Sequence, residues 1–190
     1  GLGRAVRAAA VATVLVGGIA SAHAQDITGA GATFPAPIYT KWGEQFKATG
    51  GGALNYQGVG SGAGVTQIIN RTVDFGASDT PVASERLASN NLLQFPAVIG
   101  AVVVVVNIPG VDGNALKLTG PVVADIYQGR IRMWNAKEIK DLNPGVNLPA
   151  VAIAPAYRAD SSGTTNIFTS YLAAVSLPFQ TNIGTANSVP

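Results

Sequence analysis

The stretch Ala53–Asn70, ALNYQGVGSGAGVTQIIN, decides the fold. Leu54 and Tyr56 alternate as strand residues do, and the run from Gly58 passes through a glycine loop into a helix pattern. A strand feeding a helix through a tight loop is the repeating unit of an α/β fold. The same pattern stands on either side. Upstream, ITGAGATF (27–34) reads as a short strand entering a Gly/Ala turn. It leads into PAPIYTKWGEQFKATGGG (35–52), where Ile38, Trp42 and Phe46 recur every four residues between prolines and glycines. That punctuation predicts a helix. Downstream, VDFGASD (73–79) is the next strand, and SERLASNN (84–91) a short helix capped by Ser84.

Further along, AVVVVVNI (101–108) is a β-branched run without alternation, as in a strand buried on both faces. GPVVADIYQGRI (120–131) predicts a helix, NPGVNLP (143–149) a loop and AVAIAPAY (150–157) a strand. TTNIFTSYLAAV (164–175) predicts a helix with Thr164 or Thr165 at its cap. The expected architecture is α/β, a parallel or mixed sheet with helices on both faces.

The opening residues follow a different logic. Arg4 and Arg7 precede an apolar run from Ala8 to Ala20, and Ala22-His23-Ala24 is a small-x-small site. These are the three parts of a secretory signal peptide. Residues 1–24 are therefore expected to be a leader cleaved before Gln25. The apolar run falls short of the roughly 20 residues that span a bilayer. The chain opens on Gly1 rather than Met, so the gene is expected to start upstream.

Composition then excludes whole classes of function. The 190 residues are 47% hydrophobic and 12% charged, enough apolar material for a packed core. Of 12 basic residues, Arg4 and Arg7 lie in the leader, so 10 remain against 10 acidic residues. No basic cluster is left to form a nucleic-acid footprint. Cysteine is absent, which removes disulfides, thiol catalysis, zinc–thiolate sites and a lipid-anchored cysteine. With a leader and no such anchor, the expected compartment is the periplasm. The single histidine, His23, falls inside the leader, so neither a Ser-His-Asp relay nor a histidine metal site is expected. No G-x-S-x-G elbow or P-loop is present. No catalytic residue, cofactor or metal is expected.

What remains is three strand-to-helix loops of one chemistry: GAGATFP (29–35), GVGSGAG (58–64) and RADSSGTT (158–165). In open α/β sheets ligands gather at the carboxyl ends of strands. A helix start offers unpaired N–H groups and a partial positive charge, so it holds anions. Serine and threonine add short donors, and Arg158 adds a planar cationic fork suited to oxyanions. Any one such loop is commonly a plain turn or cap. Three in one chain describe a cleft of neutral donors plus one cation for a small tetrahedral oxyanion. Gly58-x-Gly60-x-x-Ala63, with Asp79 21 residues past Gly58, also fits a loose dinucleotide fingerprint. That pattern leaves the other two loops unexplained.

The same residues carry a resemblance. TGAGATFPAPIYTKW, NYQGVGSGAG, VDFGASDTP, QFPAVIGAVVVVVNIPG, LTGPVVADIYQGRIRMWN and the RADSSGTT loop with its following IFTSYL are long and collinear. From about Asp26 to the last residue the chain resembles the periplasmic phosphate-binding proteins of bacterial ABC phosphate importers. The resemblance implies a periplasmic-binding-protein-like fold of type II, two α/β lobes hinged around a ligand cleft. It implies a first lobe over 25–80 and a second over 81–190, with the scaffold incomplete at the C-terminus. It implies that phosphate is held by Thr33, the Phe34 amide, Ser61 and Asp79 from the first lobe. Arg158, Ser162, the Gly163 amide and Thr164 would serve from the second, with Asp160 holding the Arg158 guanidinium. Two departures stand out: Ser161 where the family usually has glycine, and Tyr157 where it often has a second arginine. The first leaves open whether Ser161 or Ser162 faces the ligand. The implied partners are inorganic phosphate and an inner-membrane ABC permease with its ATPase subunits, served by a monomer. A stand-alone phosphate scavenger and a phosphatase-like enzyme on the same fold are the alternatives.

Overall fold

A computed structural model describes residues 25–189 of the chain. The expected leader, residues 1–24, lies outside them.

Three strands form one parallel sheet: β1 (Ile27–Gly31), β2 (Leu54–Gly58) and β3 (Phe75–Ala77), in the order β2-β1-β3. The register sets Ile27 against Leu54 and Gly31 against Gly58 on one side of β1, and Gly29 against Phe75 on the other. Parallel neighbours require crossovers, which helices α1 (Ala36–Ala48) and α2 (Ser61–Ile69) supply. The strand–loop–helix reading of residues 27–79 therefore holds. α1 begins after Pro35, with Pro37 in its first turn, and ends where Gly50 takes φ +93°. Gly43 is its one buried residue, because a Cβ there would come 2.9 Å from Leu54 Cβ. The helix lies that close to β2.

After α3 (Ser84–Ser89) the character changes. Ala83 occupies the cap position and makes no side-chain bond, so Ser84 is the first helical residue and not the expected cap. A single 3-10 turn, Gly113–Ala115, precedes α4 (Gly120–Tyr127), α5 (Lys137–Leu142), α6 (Gly163–Val175) and α7 (Leu177–Asn182). These helices enclose two apolar clusters. One gathers Ile108, Ile126, Ile131, Trp134, Ile139 and Leu148; the other gathers Val123, Ala124, Leu172 and Phe179. Asn143 ties the first together from inside, accepting from the Lys117 amide at 2.6 Å and donating to the Lys117 and Ile139 carbonyls at 2.8 Å. A buried amide with its bonds made fixes geometry without an unpaired polar group.

Two predicted strands are not strands. Residues 101–108 form no ladder, and only Ile108 is buried, while Val103 and Val105 are 72% and 86% exposed. Residues 150–157 make a single antiparallel bridge, Ala152 to Met133. Branched side chains favour extended backbone, but a strand exists only where a neighbour completes its hydrogen bonds. Among the described residues no strand lies beside either run. The apolar stripe of α1 shows the same shortfall: Trp42 and Phe46 are 44% and 46% exposed. With Phe34, Ile68, Leu93 and Val102 they line an open groove of about 1400 Å³. α5 and α7 went unpredicted, although Ser176 before Pro178 is a cap-and-proline start, and Ser176 Oγ accepts from Phe179 N at 3.3 Å.

Candidate functional site

The carboxyl ends of β1, β2 and β3 meet the loop that opens α6, and there the three glycine-rich loops come together. Beyond β1 the chain turns at Ala32, whose N–H donates to Ala77 O at 2.9 Å and whose carbonyl accepts from Tyr56 Oη at 2.6 Å. Ala32 is buried and held at both ends, which sets Thr33 and Phe34 at the mouth of the site. Beyond β2, Val59 and Gly60 both donate to Gly31 O at 2.9 Å. Gly60 has φ +93°, a conformation that side chains resist, and it caps α2. Ser61, the first residue of α2, is buried, and its hydroxyl accepts from the Asp79 amide at 3.2 Å. That bond uses a lone pair and leaves the hydroxyl proton to donate.

From the far end of the sequence Arg158 reaches back to these loops. Nε and Nη2 grip Asp160 as a two-point fork at 2.6 and 2.5 Å, and Nη1 donates to Thr33 Oγ1 at 3.0 Å. A guanidinium has five N–H donors, so two are left for something else. The hydrogen bonds from Arg158 hold the Asp160 carboxyl below its ordinary range, and Asp160 raises the guanidinium in turn. Both side chains are about one-third exposed, so solvent screens the pair. Thr164 Oγ1 donates to Asp79 Oδ2 at 3.0 Å, a contact across 85 residues.

Ser162 settles one local question. It is the cap of α6: its hydroxyl accepts from Thr165 N at 3.2 Å, so neither Thr164 nor Thr165 is the cap. Ser162 is buried, whereas Ser161 is exposed. Gly163 opens α6, and a Cβ on it would lie 2.5 Å from Ser61 Oγ and 2.7 Å from Asp79 Cβ. The starts of α2 and α6 are thus in van der Waals contact. Thr33, Ser61, Asp79, Arg158, Asp160, Gly163 and Thr164 share one neighbourhood. Phe34 stands at its rim, half-exposed, with its ring against Gly100. Ser162 adjoins these residues and is tied on two sides, its hydroxyl accepting from Thr165 N at 3.2 Å and its N–H donating to Asn187 O at 3.0 Å.

Chemically this is a ring of short donors, one cation and two carboxylates at the positive ends of helices. Such ends favour anions. The family profile described as a PBP superfamily domain matches residues 17–188. The chain belongs to the PBP superfamily. Among curated members, it is 51% identical to "Phosphate-binding protein PstS" of Pasteurella multocida over 167 residues, 88% of this chain and 48% of that protein. The protein of the same name from Haemophilus influenzae is 47% identical over 174 residues, 92% of this chain and 52% of that one. The Methanocaldococcus jannaschii protein is 38% identical over 167 residues, 84% and 43%. The chain spans about half the length of these relatives.

Within this superfamily member, two features of the site escaped the sequence. Tyr56 was legible only as a strand residue. It lies 5.0 Å from the Tyr39 ring in an edge contact and stacks on Phe75 at 5.7 Å, and burial pushes its hydroxyl pKa up. The second is a C-terminal strap over α6. Asn187 O accepts from Ser162 N at 3.0 Å, Asn187 Oδ1 accepts from Asn166 at 2.8 Å, and Ala186 is bonded to Thr169 Oγ1. No motif signals it, because contacts across some 20 residues, most of them to backbone groups, leave no periodic trace. Among the described residues no group of three acidic, histidine or cysteine side chains is placed to hold a metal ion. Nor is any helix there long and apolar enough to cross a membrane.

Proposed function

We propose that this chain is the phosphate-binding part of an exported solute-binding protein, delivering inorganic phosphate to an inner-membrane ABC permease and its ATPase subunits and catalysing nothing. It acts as a monomer in the periplasm, after cleavage of residues 1–24. Residues 25–80 and 81–190 belong to two lobes of a type II periplasmic-binding-protein fold, and the ligand lies between them. Thr33, the Phe34 amide, Ser61, Asp79, Arg158, Ser162, the Gly163 amide and Thr164 bind the anion, and Asp160 orients Arg158.

One observation carries this reading: the loops meet in two long-range bonds, Arg158 to Thr33 across 125 residues and Thr164 to Asp79 across 85, each at 3.0 Å. The names of the curated relatives, phosphate-binding proteins, support phosphate as the anion. Asp79 is what makes that choice chemically intelligible. A carboxylate oxygen accepts and does not donate. Phosphate near neutral pH retains at least one O–H for Asp79, whereas sulfate offers only lone pairs. An acceptor facing an acceptor costs a few kcal/mol, and 1.4 kcal/mol is about tenfold.

Competition of sulfate against labelled phosphate tests this. The parent should prefer phosphate by about a hundredfold or more. Asp79→Asn, which adds N–H donors, should lose most of that preference. If the mutant keeps the parent's selectivity, Asp79 is not the discriminating group.

A further inference from the structure

The loops that open α2 and α6 are keyed to each other as well as to a ligand. The Gly62 N–H donates to Ser161 O at 3.2 Å. A methyl placed on Gly62 would lie 2.2 Å from Ser161 Oγ and 2.7 Å from Ser161 Cβ. The same pattern recurs beside it. A Cβ on Gly60 would come 2.5 Å from Asp160 Oδ2, and one on Gly163 would come 2.5 Å from Ser61 Oγ. In each contact a side chain of one loop fills the space that a glycine leaves on the other. Two helix starts carry like partial charges, so bringing them this close requires a specific contact to offset the repulsion.

We propose that Gly62 and Ser161 form a latch, a positioning pair that holds the two loops closed and slows the escape of an anion lying between them. The proposal rests on the phosphate-binding reading. Gly62 sits in the first turn of α2 and is absent from the positive-φ residues, so alanine suits its backbone. Glycine-to-alanine changes at compatible helical positions ordinarily stabilise. Any loss at Gly62 therefore comes from collision with Ser161. Rotating the Ser161 hydroxyl relieves one overlap, but its Cβ moves only with the backbone. The latch acts once the ligand is in place, so it shows in release more than in capture.

The experiment follows phosphate release by stopped flow, using inorganic phosphate and the full chain. Gly62→Ala should release phosphate about tenfold faster, with association nearly unchanged. Ser161→Gly should resemble the parent, because the carbonyl that accepts from Gly62 remains. The double variant Gly62→Ala/Ser161→Gly should recover near-parental release. A double variant as fast as Gly62→Ala alone overturns the latch. Hydrogen exchange on the parent needs no variant to fold: the Gly62 amide should be protected, and rapid exchange there also overturns the proposal. If the parent binds no phosphate, the functional reading fails by itself. The latch is then read from melting temperatures, lowered in Gly62→Ala and restored in the double variant; without restoration it falls.

Discussion

The loops around Arg158 and the valine run at 101–108 make opposite use of their surroundings. The loops hold small polar residues, and their bonds reach up to 125 positions along the chain: Thr33 to Arg158, Asp79 to Thr164, Gly62 to Ser161. The valine run holds the most strand-like sequence in the chain and finds no neighbouring strand among the described residues. Polar contacts are directional and short, so a few residues at the right spacing complete them. An apolar face needs area, and Leu93, Ile99 and Val105 are all more than 85% exposed. Hydrophobic sequence states what a segment would gain by burial, not whether anything covers it.

Core truncation is the largest-effect way to break that comparison. Leu172 is fully buried beside Val123 and Phe179, and Leu172→Ala should cost about 2–5 kcal/mol in urea unfolding. Val105→Ala removes a similarly apolar side chain, yet it should stay within about 0.5 kcal/mol. A cost at Val105 comparable to that at Leu172 would show that the run is covered in solution.

A smaller effect sharpens the polar side. Tyr56→Phe deletes the hydroxyl that holds the Ala32 carbonyl and keeps the stacked ring. Phosphate affinity should fall by about 1 kcal/mol, roughly fivefold, because the turn presenting Thr33 loses one of its two ties. Calorimetry showing unchanged affinity would make Tyr56 a packing residue only.

How much of this was legible in the sequence follows the same division. Residues 27–79 were read correctly because each strand, glycine loop and helix carries its own punctuation: Pro35 and Pro37 start α1, Gly50 ends it, and Gly60 opens α2. The candidate site was legible as three loops of one chemistry with Arg158 as their cation, whereas Ser61, Asp79 and Thr164 were expected as ligands only from the family resemblance, and Asp79 lies outside all three loops. The cap of α6 was misplaced by two or three residues, since Ser162 and the threonines after it have equal capping chemistry. The strands at 101–108 and 150–157 were not recoverable as absences, because nothing local distinguishes a paired strand from an unpaired one. Tyr56 and Asn187 act through contacts that only tertiary structure brings about.

The smallest predicted effect is acid sensitivity at Asp160. Its folded pKa is lowered by the Arg158 hydrogen bonds, so its contribution is present above the ordinary carboxylate pKa of 3.8. That contribution is lost as pH falls through the lowered value. The pair is partly exposed, so the loss should be under about 1 kcal/mol. Acid unfolding of parent and Asp160→Asn should differ near neutral pH and converge once the pH has fallen below the lowered Asp160 pKa. Parallel curves throughout would remove the ion pair from the stability of the loop.

Calorimetric titration of phosphate into Arg158→Ala, beside the parent, tests the central claim most directly. If the three loops close on one anion, the guanidinium supplies charge-assisted bonds that no neighbour replaces, and affinity should drop by roughly 1.5–3 kcal/mol. A mutant that titrates like its parent would mean that Arg158 and the loops it joins do not meet around the ligand.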